Sequence, residues 1–297
     1  MSDLPQNEID LEDVLKGLSI PSPPQMLVDI QKEISATNPS LDRITEVIVT
    51  DPGLSGGILR TIRSPFYAMD DENISIRKAV LLLGTKTVFS IINMLCLRSQ
   101  ADNEKLTEGQ LMFLNRFWDS STDIATAASL IASRVQNIPE DKAYLLGLFS
   151  NVGIALMAIR FDNYSKVIAN AYAGGHERIV DTENTHFNTN HAVLGYYMAK
   201  SWKIPQEVCE VIRVHHNAAE LFSDHDEASS SLKDMLATLK LAEHFSCLHE
   251  VLAGQDFDHE WEQISDDVLY YLDISEDDYI DLESAIKERG IGISNFQ

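Results

Sequence analysis

The hydrophobic residues of this chain recur at intervals of three and four positions, which is the spacing of one face of a helix. Leu41, Ile44, Val47 and Ile48 are a clear early example. Few stretches alternate between apolar and polar residues, so strands are expected to be scarce. The pattern predicts an all-α protein whose helices are joined by short loops.

Several predicted helices begin at side chains that can cap free backbone N–H groups. Asp51 precedes Pro52, a residue suited to the first helical position. Ser75 precedes an apolar segment that stops at Gly84, and Ser275 precedes three consecutive acids. Acidic residues favour the N-terminal turn because of the helix dipole. We therefore expect helices to start after Asp51, Ser75 and Ser275.

Three prolines in the segment from Ile20 to Pro24 predict extended backbone that ends where a helix begins, near Pro24. Proline disfavours helical geometry in the residue before it and suits the first turn itself. Met26, Leu27 and Ile30 should then face the core.

Polar stretches divide the chain into three parts. Ser99 to Gly109 separates a helical bundle in residues 1–98 from a second helical bundle in residues 110–250, and Asn217 to Ser231 is expected to be a surface loop. Residues 251–297 are strongly acidic but keep Trp261, Ile264 and Val268 at helical spacing. We expect this C-terminal extension to be packed and helical rather than disordered.

Charge narrows the class of function. The 297 residues include 46 acidic and 23 basic side chains, for a net charge of −23. Such a surface repels phosphate backbones and anionic membranes, so neither nucleic acid nor membrane is an expected partner. The first residues carry no basic group before an apolar run, and no run long enough to span a bilayer is expected. Three scattered cysteines fit a reducing cytoplasm.

The segment from Gly147 to Gly153 resembles a metal site without its metal ligands. In a large family of metal-dependent phosphohydrolases, the same frame of glycines and apolar residues holds a consecutive His-Asp pair. Here the two positions are Ser150 and Asn151. A hydroxyl and an amide oxygen are weak ligands beside imidazole and carboxylate.

Six further motifs resemble, in order and spacing, the HDOD domain, a bacterial signalling module related to the HD phosphohydrolases and usually without their activity. They are Ile20 to Pro24, Asp51 to Leu54, Ser75 to Gly84, Trp118 to Ser121, His191 to Gly195 and Ile212 to His216. The similarity covers about residues 18 to 247 and implies that the second bundle is HD-like. Arg63 departs from the family, which tends to have Asn there.

The resemblance also assigns the metal positions of the hydrolases. They correspond to Ser120, Ser150, Asn151 and Glu243, of which only Glu243 is a good ligand. A catalytic ion normally takes at least three protein ligands. We therefore expect no catalytic residue, metal or cofactor, and a polar cleft in place of the metal site.

A second set, His191, His215 and His216, aligns with histidines that serve another metal in the related HD-GYP phosphodiesterases. On a regular helix, the adjacent His215 and His216 would point about 100° apart and could not easily share one ion. We expect one of the two to face the core and the other to face the degenerate pocket. Glu243 is expected to pair with a histidine of this set or to reach solvent. The other histidines are expected to be exposed, either in a loop (His176, His186) or elsewhere on the surface (His244, His249, His259).

Three functional hypotheses remain. The first is a non-enzymatic regulatory protein of the HDOD kind that acts through a protein partner or a bound ligand. The second is a metal-dependent phosphohydrolase or phosphodiesterase that acts on a nucleotide through the remaining histidines. The third is a pseudo-enzyme that binds a nucleotide or small anion in the degenerate pocket.

Overall fold

The computed structural model describes residues 21–63, 67, 74–102, 104–174, 177–223 and 229–292. Within these ranges all regular structure is helical, which confirms the predicted fold class. Ile20 and His176 lie outside the described residues. The α-helices are α1 Gln25–Ile34, α2 Leu41–Val49, α3 Pro52–Ile62, α4 Ile76–Leu83, α5 Thr85–Ala101, α6 Glu108–Val135, α7 Glu140–Phe149, α8 Val152–Arg160, α9 Tyr164–Gly174, α10 Ile179–Phe187, α11 His191–Ser201, α12 Gln206–Val214, α13 Ala218–Leu221, α14 Ser230–Phe245, α15 Leu248–Ala253, α16 His259–Tyr271 and α17 Glu276–Lys287.

The predicted caps are present in the first bundle, in which α1 to α5 pack on one another. Asp51 accepts hydrogen bonds from the backbone N–H groups of the first turn of α3, and the Ser75 side chain accepts from Lys78 N–H. Helix α4 stops at Gly84, whose φ of 77° suits glycine. These local signals therefore determine the helix ends as expected.

Helix α1 begins directly after Pro24, in agreement with the predicted change from extended to helical backbone. Leu27 and Ile30 are buried, and Met26 is partly buried against the same core. The prediction that these three side chains face inward is confirmed.

The break between the two bundles is shorter than the polar residues suggested. Helix α5 continues to Ala101 because its final turns bury Leu97 and Ala101. Helix α6 already starts at Glu108, after a reciprocal capping box between Thr107 and Gln110. Helix α6 then packs against α7, α8, α14 and α15, which places it at the centre of the second bundle.

The stretch from Asn217 to Ser231 is not wholly a loop. Ala218 is buried at the start of the short helix α13, and Ser229 caps α14 through Leu232 N–H. The small apolar residues of α13 explain why helix replaces loop in an otherwise polar stretch.

The acidic extension is packed, as predicted. Trp261, Ile264 and Val268 of α16 are buried, and α16 packs against α14 and α13. Ser275 and Asp278 form a capping box at the start of α17. Periodic apolar positions thus prevail over the high acid content.

One described stretch, Glu140–Arg160, is long enough and apolar enough to cross a membrane when only length and composition are considered. The expectation that no run reaches this length was therefore wrong. It comprises α7 and α8, and 83% of its most apolar window is buried inside the fold. Helices α4 and α5 pass the same test only if joined across a 111° bend. Burial in the helical core accounts for the apolar composition of α7 and α8.

Candidate functional site

Two glycines allow the helices of the site to approach closely. A Cβ on Gly147 would lie 2.7 Å from the Cα of Ala125 on α6, and a Cβ on Gly153 would lie 1.9 Å from the carbonyl oxygen of His191 on α11. The connection between α7 and α8 is held between these contacts and carries Ser150 and Asn151. The two glycines are therefore needed for the close packing of these helices, whether or not metal ligands are present between them.

The two serines that the resemblance places at hydrolase metal positions each bond to the backbone carbonyl three residues earlier. Ser120 Oγ donates to the Phe117 carbonyl over 2.9 Å, and Ser150 Oγ donates to the Gly147 carbonyl over 3.2 Å. Both side chains are buried. Such back-bonding satisfies a hydroxyl locally and needs no ion.

Asn151 and Glu243 are brought together, but as a hydrogen-bonded pair. Asn151 Nδ2 donates to Glu243 Oε1 over 2.7 Å, so an amide donor faces the carboxylate. The second oxygen of Glu243 accepts from Lys240 Nζ at 2.9 Å. The expectation that Glu243 pairs with a histidine or reaches solvent is thus wrong, because the side chain is buried and Lys240, one helical turn earlier, pairs with it.

Lys240 lies between two carboxylates. Its Nζ is also 2.9 Å from Glu260 of the extension, and the side chain is nearly inaccessible to solvent. Burial alone would lower the pKa of Lys240, but Glu243 and Glu260 raise it above its ordinary value. Both carboxylates are thereby compensated by a fixed positive charge.

The residues at the hydrolase positions do not fit the metal that the resemblance implies. Two hydroxyls donate to backbone carbonyls, an amide donates to the remaining acid, and an ammonium group covers that acid's other oxygen. One carboxylate that already accepts from an amide and an ammonium group, beside neutral hydroxyls, is a poor ligand set for a divalent ion, and no catalytic step is derived through one.

The three histidines, by contrast, are brought together. His191 Nε2 lies 3.3 Å from His215 Nε2 and 3.0 Å from His216 Nε2, and all three side chains are buried. The expectation that His215 and His216 diverge is wrong, because α12 ends at Val214 and His215 starts a 3₁₀ turn. The change of helix type directs both rings toward His191. We call these residues the three-histidine cluster.

Each ring of the cluster is oriented by a partner on Nδ1. His191 contacts the buried Glu183 at 2.7 Å, His215 the Ile212 carbonyl at 2.7 Å, and His216 Glu260 at 3.1 Å. Burial opposes ionisation of Glu183, but interactions with His191 and a hydrogen bond from the Tyr164 hydroxyl lower its pKa below the ordinary value. Burial lowers the pKa values of His215 and His216, so both rings are neutral near pH 7.

The side chains predicted to bound a polar cleft are buried, and two of them, Glu243 and His216, line a small cavity that Lys240 and Glu260 also border. The buried set is Ser120, Ser150, Asn151, His191, His215, His216 and Glu243. A cavity of about 160 Å³ lies next to them, between the second bundle and the extension. His216 and Glu260 line it together with Arg178, Glu177 and Glu220.

Two histidines that were expected on the surface belong to a second contact with the extension. His244 Nδ1 lies 3.0 Å from Asp258, and the buried His249 lies 3.5 Å from the same carboxylate. The His244 ring stacks on Trp261 with centroids 4.6 Å apart. His186 is exposed as predicted, although it lies in the last turn of α10 rather than in a loop.

Sequence reasoning missed Lys240, Glu183 and Glu260. Lys240 had a signal, since it interrupts an apolar helical run three residues before an acid, where a buried ion pair can form. Glu183 and Glu260 carry no comparable local signal. They reach the cluster only through the packing of α10 and α16.

Solved structures share the fold. An HDOD domain protein of unknown function from Geobacter sulfurreducens has 18% identity and a TM-score of 0.62, covering 94% of this chain and 96% of its own. A candidate signal transduction protein from Marinobacter aquaeolei VT8 has 20% identity and a TM-score of 0.64, covering 94% and 60%. A candidate metal-dependent phosphohydrolase from Shewanella amazonensis SB2B has 20% identity and a TM-score of 0.62, covering 94% and 95%.

Sequence comparison identifies the family of this chain. An uncharacterised protein of Treponema pallidum (strain Nichols) is 24% identical over 204 residues, which are 67% of this chain and only 38% of that relative. The family model of the HDOD domain matches residues 20–218, well over half of the chain. With its helical architecture and this match, the chain belongs to the HDOD domain family.

Proposed function

We propose that this protein is a non-enzymatic signal-transduction protein that acts through contacts with a protein partner. The observation that carries the proposal is the chain of contacts from Asn151 through Glu243 to Lys240. It satisfies the former metal position with groups of the protein itself.

The charge of Lys240 is the main obstacle to hydrolase chemistry. A divalent ion beside Glu243 would lie close to a buried ammonium group that is already paired with two carboxylates. Repulsion between such charges is strong in a poorly solvated interior. Ser120 and Ser150 would offer the ion only neutral hydroxyl oxygens, which are weak ligands beside imidazole and carboxylate.

Overall charge and cysteine chemistry support the expected partner and compartment. A net charge of −23 favours basic protein surfaces over nucleic acid or anionic membranes. Cys96 and Cys209 are buried free thiols, and burial raises the pKa of each to about 11. Unreactive, unpaired thiols fit a cytoplasmic protein.

A hydrolysis screen tests the proposal against the phosphohydrolase alternative. Purified full-length protein is incubated with nucleotides, cyclic dinucleotides and a generic phosphodiester, each with Mg²⁺, Mn²⁺, Fe²⁺ or Zn²⁺. We expect no turnover above that of a His191→Ala variant, which removes one of the remaining histidines. Metal-dependent turnover that this variant loses would overturn the proposal. If there is no such turnover, a pull-down from the native cell serves to identify the partner.

The pseudo-enzyme alternative depends on the cavity beside the cluster. Among the described residues that line it, Arg178 is already bonded to Asp181 at 2.8 Å and to Asn217 at 2.7 Å. Glu177, Glu220 and Glu260 add negative charge to the same walls. This lining supports a neutral or cationic ligand over a nucleotide or small anion. A thermal-shift series with nucleotides and phosphate is expected to show no stabilisation, and a saturable shift would favour the alternative.

A further inference from the structure

The three-histidine cluster has the geometry of a set of metal ligands. One ring nitrogen from each histidine lies within 4.8 Å of the other two. A tetrahedral zinc ion with Zn–N bonds of about 2.0–2.1 Å separates its ligand nitrogens by about 3.3 Å. The two Nε2–Nε2 distances of 3.3 and 3.0 Å from His191 are close to that separation.

The hydrogen bonds of the cluster fix the tautomers. Every Nδ1 faces a carboxylate or a backbone carbonyl, and these groups accept but do not donate. Each Nδ1 therefore carries the proton, and each Nε2 directs its lone pair at the other two rings. Ligand histidines in metal sites are oriented in the same way by acceptors on the far nitrogen.

Three converging lone pairs repel one another unless a positive centre lies between them. A proton on one Nε2 could be shared with one neighbour and would leave the third ring without a donor. A divalent ion accepts all three lone pairs at once. Imidazole nitrogens suit borderline ions such as Zn²⁺ and Co²⁺ rather than Mg²⁺ or Ca²⁺, which prefer oxygen.

The surroundings provide access for a cation. The cavity of about 160 Å³ reaches His216 and is lined by Glu177, Glu220 and Glu260. Acidic walls raise the local concentration of cations. The ion could therefore approach the buried cluster from the side of the extension.

We propose that His191, His215 and His216 form a mononuclear site for a zinc-like divalent ion, with Glu183 and Glu260 as positioning residues. The proposal concerns binding and does not depend on the proposed signalling function. The site is separate from Ser120, Ser150, Asn151 and Glu243, because the three Nε2 atoms approach one another, whereas Asn151 and Lys240 contact Glu243. Glu260 links it to a segment beyond the family match.

The test is metal binding by the full-length chain. Protein stripped with a chelator and then dialysed is titrated with Zn²⁺ in a calorimeter, and with Co²⁺ while its visible absorption is recorded. We expect one ion per chain, with the intense absorption of tetrahedral Co²⁺. His216→Gln should weaken binding about 100-fold or more, and Glu260→Gln about 10- to 100-fold. His186→Gln is the matched control and should bind like the parent.

Several outcomes would overturn the proposal. Absence of stoichiometric binding in the parent chain is one, and binding that His216→Gln leaves unchanged is another. Circular dichroism and gel filtration show whether each variant folds. If His216→Gln does not fold, Glu260→Gln decides, because it retains a hydrogen-bonding amide and the three ligands. Parent-like affinity in that variant would then contradict the site.

Discussion

Asn151 Nδ2 lies 2.7 Å from Glu243 Oε1, so two positions that would both hold a metal in a related hydrolase are joined by a direct hydrogen bond. The amide supplies a donor where an ion would supply charge. Lys240 completes the replacement by contacting the other oxygen of the same carboxylate at 2.9 Å. The stability of this part of the fold should therefore depend on Lys240.

Replacing Lys240 tests that dependence. Lys240→Met leaves Glu243 buried and Glu260 partly buried without their shared cation, and removing one member of a buried ion pair costs about 3–5 kcal/mol. We expect a loss of about 3 kcal/mol in the free energy of unfolding. This value is at the lower end of that range because Glu260 retains solvent contact. Urea denaturation measures the change.

The matched control is Lys287→Met, which removes an exposed pair with Glu283 at 2.8 Å. Exposed pairs contribute about 0–1 kcal/mol, so this variant should unfold almost like the parent. Equal losses in the two lysine variants would show that the buried ammonium group has no special role.

Gly153→Ala tests the close approach of α8 and α11. The added methyl group would lie 1.9 Å from the His191 carbonyl oxygen, so the helices must separate. We expect destabilisation of about 1–3 kcal/mol or more by denaturant unfolding. Gly56→Ala on α3 has no heavy atom within 4 Å of its new Cβ and should be neutral or stabilising by up to about 1 kcal/mol. A neutral Gly153→Ala would mean that this contact is easily relaxed.

The burial of His249 predicts a dependence of stability on pH, although Asp258 nearby opposes the shift. Burial lowers the pKa of His249 below its ordinary value of 6.5. The unfolded chain then binds the proton more readily, so stability is full above pH 6.5 and falls as pH decreases through the folded-state pKa. His215 and His216 act in the same direction.

Asp258 adds a second loss at lower pH. Burial opposes its ionisation, but hydrogen bonds from His244 and Trp261 N–H and the nearby His249 lower its pKa below 3.8. Its stabilising effect is therefore lost as pH falls below that value.

Denaturation midpoints at pH 7.5, 6.5 and 5.5 should decline less steeply in His249→Gln than in the parent. An unchanged slope would contradict the role given to His249.

The sequence predicts what is determined locally. Asp51, Ser75 and Ser275 cap their helices because capping involves only the next three residues. The cluster is different: the divergence expected for His215 and His216 assumed a regular helix, and the chain turns to 3₁₀ geometry at that point. The periodicity of hydrophobic residues does not reveal that the helix type changes at His215 itself.

The two glutamates that contact the site, Glu183 and Glu260, could not be predicted for another reason. Glu183 approaches His191 from α10, and Glu260 approaches Lys240 and His216 from α16. Nothing in the sequence around either glutamate distinguishes it from the many solvated acids of this chain. Their burial depends on how α10 and α16 pack, which local patterns do not specify.

The reach of Glu260 into the second bundle has a consequence for how the protein can be divided. The family match ends at residue 218, but Lys240 and His216 both depend on a carboxylate from α16 for pairing. A shorter expression fragment that stops before residue 259 would leave a buried ammonium group with one counterion instead of two. The smallest fragment that unfolds cooperatively should therefore include α16, and boundaries drawn from the family alone would yield a poorly stable product.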